Sequence, residues 1–101
     1  MGGKFENAVQ LYFNDTDQRI EKNEMALAAN DDIKNVVLQA HSIKSSSTHM
    51  GAARLAEVAG TMELQAQETV EHHSDAAKLA PLLREIRKIF AETRQKFHSI
   101  K

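Results

Sequence analysis

The chain has 101 residues, of which 42% are apolar and 27% charged, and it contains no cysteine. That is enough for one small domain with one modest core, and the missing cysteine excludes a disulfide framework or a thiolate metal site and fits a reducing compartment. No apolar run approaches the ~20 residues of a membrane span and no signal-peptide pattern is present, so the domain itself is expected to stand outside the membrane, in the cytoplasm.

The net charge of -1 hides an asymmetry. Residues 1–32 carry three Lys/Arg against seven Asp/Glu, net -4, and residues 84–101 carry six against two, net +4. A nucleic-acid surface would have to come from Arg84, Arg87, Lys88 and Arg94. Two solvated helix faces of opposite sign are the simpler reading, and no nucleic-acid partner is expected.

Met1-Gly2-Gly3 reads as a leader left by cloning, and residues 4–101 as one domain. Period-two alternation is missing and helix formers dominate, so the chain reads as four amphipathic helices and no strand. The first spans about Lys4 to Ala28, with Phe5, Val9, Tyr12, Phe13, Thr16, Ile20 and Leu27 at helical spacing. "ANDD" (29–32) stops it and offers Asp31 or Asp32 as N-cap of the second helix. The second buries Ile33, Val36, Val37, Ala40, Ile43 and Ser47 and ends near Gly51, a natural left-handed terminator. The third presents Leu55, Val58, Ala59, Met62, Ala66 and Val70, and "HHSD" (72–75) breaks it. The fourth packs Leu79, Leu82, Leu83, Ile86, Phe90, Thr93, Phe97 and Ile100. Pro81 is comfortable only in a first turn, so a start near Lys78 is preferred to a kinked start at Ala76. Short connections make successive helices antiparallel, which predicts an all-α, up-down four-helix bundle. Four helices close one core, so a monomer is expected.

The second helix carries the unusual chemistry. "AHSIKSSSTHMGA" (40–52) contains four consecutive hydroxyl residues, Ser45 to Thr48, although Ser and Thr are mediocre helix formers. At 100° per residue with Ile33 at 0°, the core face runs from about 280° to 40°. On the same wheel His41 falls at about 80°, Lys44 at about 20°, Ser45 at about 120° and Leu38 at about 140°. His41 therefore sits at the edge of the core face with Lys44 one turn on. Small hydroxyl residues keep the neighbouring surface low, and Ser47 is small enough for close packing of the third helix.

His41 lies ten residues before Gly51 and Glu63 twelve after it. A tight antiparallel hairpin brings the two level, so Glu63 can hydrogen-bond the imidazole and hold the ring. On spacing alone, an exposed and unpaired Glu63 is an equal reading. A free imidazole, with a pKa of about 6.5, is roughly three quarters neutral at pH 7. A neutral ring nitrogen can attack phosphorus while Lys44 offsets charge on the phosphoryl oxygens. A bystander His41 in a structural bundle remains open at this point. His49 lies two turns, ~12 Å, from His41, and the adjacent His72 and His73 point apart, so no metal site is expected.

The string "HSIKSSSTHMGAARLAEVAGTME" (41–63) resembles the signature of histidine phosphotransfer (HPt) domains, the phosphocarriers of multistep two-component phosphorelays. That signature has His, an apolar residue at +2, Lys at +3 and small residues at +4 to +6. Gly follows at +10, Leu at +14, a small residue at +18 and Gln or Glu at +22. Here these are His41, Ile43, Lys44, Ser45-Ser46-Ser47, Gly51, Leu55, Ala59 and Glu63. "FENAVQLYFNDTDQRIEKNEMALAAND" (5–31) is similar to the family's first helix.

The resemblance implies that His41 accepts the phosphoryl group, Lys44 balances its charge and Glu63 faces the ring. It implies a carrier without catalysis or cofactor of its own, served by response-regulator receiver domains that bring the aspartyl phosphate and the magnesium ion. Leu38 becomes an apolar anchor for the receiver, with Ser42, Ser45 and Thr48 around it. The resemblance and the leader together suggest the excised cytoplasmic C-terminal domain of a membrane-bound hybrid sensor kinase. One departure stands out: the family most often has Gly at +4, where this chain has Ser45. A non-phosphorylated adaptor bundle is the alternative function.

Overall fold

The computed structural model describes residues 3–29 and 32–99, with side chains described for 7–29 and 32–97. Four α-helices run Gly3–Ala29 (α1), Ile33–His49 (α2), Ala53–His72 (α3) and Ala80–Ser99 (α4), with a 3-10 turn at Ala76–Leu79. Each helix packs on the next in the chain and α4 closes on α1, giving the antiparallel up-down four-helix bundle, 50 × 20 × 18 Å. No strand occurs among the described residues, and no described helix is long and apolar enough to cross a membrane. Asp31, Ile100, the first two leader residues and the side chain of Phe5 lie outside what is described.

The predicted stripes meet in one core. Tyr12, Phe13, Ile20, Val36, Ala40, Ile43, Leu55, Ala59, Met62, Ala66, Leu79, Leu83, Ile86 and Phe90 are all buried in it. Val9, Leu27, Ile33, Val37, Val58, Leu82 and Phe97 lie at its margin, only partly buried, and Val70 and Thr93 are also only half-buried. Ile89 and Asn23 were not among the expected core positions and are buried. Ile89 falls on the stripe edge, and Asn23 is polar, so a hydrophobic pattern passes over it. Phe13 anchors the α1–α4 seam, edge-on to Phe90 and Phe97 at centroid distances of 5.9 and 5.4 Å.

The connections explain the register. Gly51 stands at φ 80°, and the Ala52 amide donates back to the Ser47 carbonyl at 2.8 Å. This is the Schellman-type closure a glycine permits after a helix. At the start of α2 the expectation needs correction. Asp32 occupies the N-cap position but adopts a left-handed conformation, φ 52°, and its side chain makes no capping bond. The short α1–α2 connection uses this residue to reverse the chain, and Asp is among the few side chains that tolerate the region.

At the last helix both sequence alternatives are partly met. Asp75 Oδ1 accepts the Ala77 amide at 2.9 Å and starts the 3-10 turn at Ala76, and the α-helix follows from Ala80. The α-helix thus begins two residues beyond the preferred Lys78. Pro81 is its second residue, where a missing N–H costs no intrahelical bond.

Polar contacts tie α1 to both of its neighbours, among them Arg19 Nη1 donating to Gln39 Oε1 of α2 at 2.9 Å. Ser47 is fully buried, with its hydroxyl 2.7 Å from the Tyr12 hydroxyl. The small side chain thus admits an α1 tyrosine, whereas the sequence pointed to the third helix. Burial pushes the Tyr12 phenol up, opposed by the hydroxyls of Ser47 and Thr16. Across the α1–α4 seam, Arg87 bonds Glu24 through two nitrogens at 2.7 and 3.1 Å and Asp17 at 2.8 Å. Hydrogen bonding to Glu24, more than offsetting burial, holds its guanidinium above its ordinary value.

Tyr12→Phe leaves the Ser47 hydroxyl buried without its cross-helix partner and is expected to cost about 1–2 kcal/mol by urea unfolding. Adding Ser47→Ala should recover part of that loss, and strictly additive costs would show that the two hydroxyls do not interact.

Candidate functional site

The site lies on the α2–α3 face, the most extensive helix pair of the bundle. Ala40 and Ile43 are buried on either side of His41 and lock α2 against the core. That fixing leaves the His41 side chain 57% exposed. The opposing α3 buries Leu55, Ala59, Met62 and Ala66, and Glu63 follows Met62 at the edge of that stripe. With Gly51 turning the chain, the antiparallel register brings the two edges together.

Glu63 is the hub. Its Oε2 lies 2.9 Å from His41 Nδ1 and its Oε1 lies 3.0 Å from Lys44 Nζ. Its side chain is only 12% exposed. The spacing estimate therefore holds, and Glu63 is paired. Burial pushes its carboxyl up, but hydrogen bonds from Lys44 and His41, together with their charges, outweigh burial and leave it below the ordinary carboxylate value. An ionised carboxylate only accepts, so Nδ1 carries the proton in this contact. Nε2 is then the ring nitrogen with a free lone pair, on a side chain that is more than half exposed.

Lys44 does more than reach toward the histidine. Its ammonium is shared with Glu63, and its aliphatic stem crosses Gly60 of α3. A Cβ built at Gly60 would stand 3.1 Å from Lys44 Cδ. Sequence reasoning passed over Gly60. The available signal was a glycine in mid-helix, which costs about 1 kcal/mol relative to Ala and calls for a packing reason.

The hydroxyl run resolves residue by residue. Ser46 Oγ donates to the Ser42 carbonyl at 2.9 Å and Thr48 Oγ1 to the Lys44 carbonyl at 2.8 Å, while Ser47 turns inward to Tyr12. These bonds satisfy the hydroxyls within the helix. Ser45 is exposed one turn beyond His41, Thr48 is exposed and Ser42 is half-buried. Leu38, one turn before His41, is 64% exposed, and Leu64, next to Glu63 on α3, is 63% exposed. Leu64 was not anticipated, since an apolar residue off the stripe gives no periodic signal.

His49, His72 and His73 lie at helix ends, away from this cluster. His49 ends α2, His72 ends α3, and His73 takes a left-handed conformation at φ 51°. Among the described residues no group of three or more His, Asp or Glu is arranged to hold a metal ion. Of Arg84, Arg87, Lys88 and Arg94, two are engaged within the bundle: Arg87 with Glu24 and Asp17, and Arg94 with its guanidinium carbon 5.9 Å from the Phe13 ring centroid.

Gly60→Leu is expected to push the Lys44 stem off α3 and raise the Glu63 carboxyl toward its ordinary value, as followed by carbon-detected NMR titration. Gly60→Ala should leave that titration in place, because the flexible lysine stem yields a few tenths of an ångström. An unmoved Glu63 in the leucine variant would show that Gly60 does not seat Lys44.

No match was found among curated proteins or among solved structures. A family model, the Hpt domain, matches residues 7–100 and so spans α2, α3 and their contacts. The chain belongs to the Hpt domain family, the histidine phosphotransfer domains of two-component phosphorelays.

Proposed function

We propose that this chain accepts a phosphoryl group on His41 Nε2 from the aspartyl phosphate of a receiver domain and passes it to another receiver. The observation that carries the reading is the Glu63 carboxylate on Nδ1 of an exposed His41, 2.9 Å away. That contact selects the tautomer whose free lone pair points outward, which is what in-line attack on phosphorus requires. The P–O bond to the receiver aspartate breaks as the N–P bond forms, and the aspartate leaves as carboxylate. Lys44 lies within the same cluster and offsets charge on the incoming phosphoryl oxygens. The magnesium ion belongs to the receiver in this reading, and the chain acts as a monomeric carrier with no cofactor of its own.

Leu38 supplies the apolar contact beside the histidine, and Ser42, Ser45 and Thr48 form the low polar surface around it. Exposed apolar side chains rimmed by small polar ones suit a transient protein partner. A membership in a hybrid sensor kinase, with this domain on the cytoplasmic side, accords with the family's setting in phosphorelays. The adaptor reading has no observation of its own in its favour.

Incubation with a phosphorylated receiver should give acid-labile, base-stable label that His41→Gln abolishes completely. Label on another residue, or none with any receiver of the same organism, would overturn the proposal. Ser45 tests the docking surface. Ser45→Gly should transfer at least as fast as wild type and Ser45→Leu at least tenfold more slowly (about 1.4 kcal/mol). Equal rates for Gly and Leu would show that this position does not gate approach.

A further inference from the structure

The outer face of α3 carries charge that the bundle does not use. On a helical wheel with the buried Leu55 at 0°, the other buried residues Ala59, Met62, Ala66 and Thr69 fall within about 40° of it. Glu57, Leu64, Glu68 and Glu71 fall between about 160° and 220°, on the side away from the core. All four are exposed. Steps of seven residues put Glu57, Leu64 and Glu71 in one line, with a glutamate about 10 Å to either side of the leucine. Glu68 lies one turn beyond Leu64, beside that line.

Stability does not account for this stripe. Elsewhere on the bundle Asp15 meets Arg19, Asp17 and Glu24 meet Arg87, and Glu92 meets Arg54. Among the described residues no cation pairs with Glu57, Glu68 or Glu71. Glu68 and Glu71 stand three residues apart on one helix, where like charges repel. Both also lie near the C-terminal end of α3, Ala53–His72, where the helix dipole disfavours negative charge. Leu64, 63% exposed, adds little to the core.

The stripe continues the face that carries His41. Leu64 follows Glu63, whose carboxylate touches both the ring and Lys44. Leu38 lies one turn before His41 on α2. An exposed leucine therefore stands on each helix beside the His41–Glu63 contact. The two helices differ in charge. α2 holds no Asp or Glu and presents an exposed Lys34, so carboxylates come to this face from α3 alone.

We propose that Leu64, with Glu57, Glu68 and Glu71, forms the α3 half of the docking surface and selects receiver domains that present an apolar recess bordered by lysine or arginine. The inference rests on the phosphocarrier function proposed above. An apolar centre inside a charged rim combines contact with partner choice. Rim carboxylates draw a cationic partner in and repel an acidic one, so they act on encounter and leave the chemistry to His41.

The test times phosphoryl transfer to His41 from a panel of phosphorylated receiver domains of the same organism. It compares wild type with the combined substitution Glu57→Gln, Glu68→Gln and Glu71→Gln, with Leu64→Ala, and with Glu85→Gln, an exposed α4 position, as control. For the receivers that wild type accepts from fastest, the combined variant should lose about tenfold or more in kcat/KM at low salt, through KM, together with most of the salt dependence. Leu64→Ala should lose about tenfold at low and high salt alike, and Glu85→Gln should match wild type. The combined variant should melt at or slightly above the wild-type temperature, because it removes repulsion, which separates lost docking from lost folding. Wild-type rates and salt dependence in the combined variant, or wild-type rates in Leu64→Ala, would overturn the inference and leave the carrier function standing. A fall in molar mass on substitution, read by light scattering, would assign the stripe to a second copy of this chain and also overturn it. A wild-type His41 that takes no label from phosphoramidate or from any receiver would overturn both.

Discussion

The site depends on one carboxylate held between an imidazole and an ammonium. Glu63 can serve both only because α2 and α3 are level at that point. Their register follows from the Gly51 turn, with the buried Ala40 and Ala59 on the two helices and Gly60 leaving room for the Lys44 stem. Leaving a carboxylate mostly out of water is unfavourable unless its charge is met. The His41 and Lys44 contacts meet it, so the polar site is electrostatically closed before any partner arrives. The His41 side chain remains more than half exposed beside this closed pair of contacts.

Around that centre, the hydroxyl run on α2 does three different jobs. Ser46 and Thr48 bond back to carbonyls one turn earlier, so polar groups on a helix surface are satisfied without projecting. Ser47 faces inward and meets Tyr12, which ties α1 to the helix that carries His41. Ser45 stays outward and small. The run lowers the surface next to the histidine while the helix remains continuous from Ile33 to His49.

The charge asymmetry between the two ends of the chain is met in part inside the molecule. The acidic first helix and the basic last helix are neighbours in the bundle, and Arg87 is gripped by Glu24 and Asp17 across their seam. The half-exposed position of these groups makes the cluster a modest contributor to stability. It still orients α4 against α1, beside the Phe13 cluster that supplies the apolar part of the same seam.

Much of this was determined by the sequence alone. Helical periodicity placed four helices within one or two residues of their observed ends, because apolar spacing at 3.6 residues dictates which face is buried. The offset from Gly51 brought His41 and Glu63 level, because rise per residue is constant in a helix. Other features were decided only by tertiary structure. Asp32 adopts a left-handed turn instead of capping, since the reversal into α2 outweighs one side-chain bond. Ser47 pairs with Tyr12, thirty-five positions away in sequence, and nothing local predicts that meeting. Lys44 shares Glu63 and rests on Gly60 because a flexible side chain takes its place from whatever the opposing helix leaves open. Spacing can say which residues share a level, but the partner of each polar atom is set by three-dimensional packing.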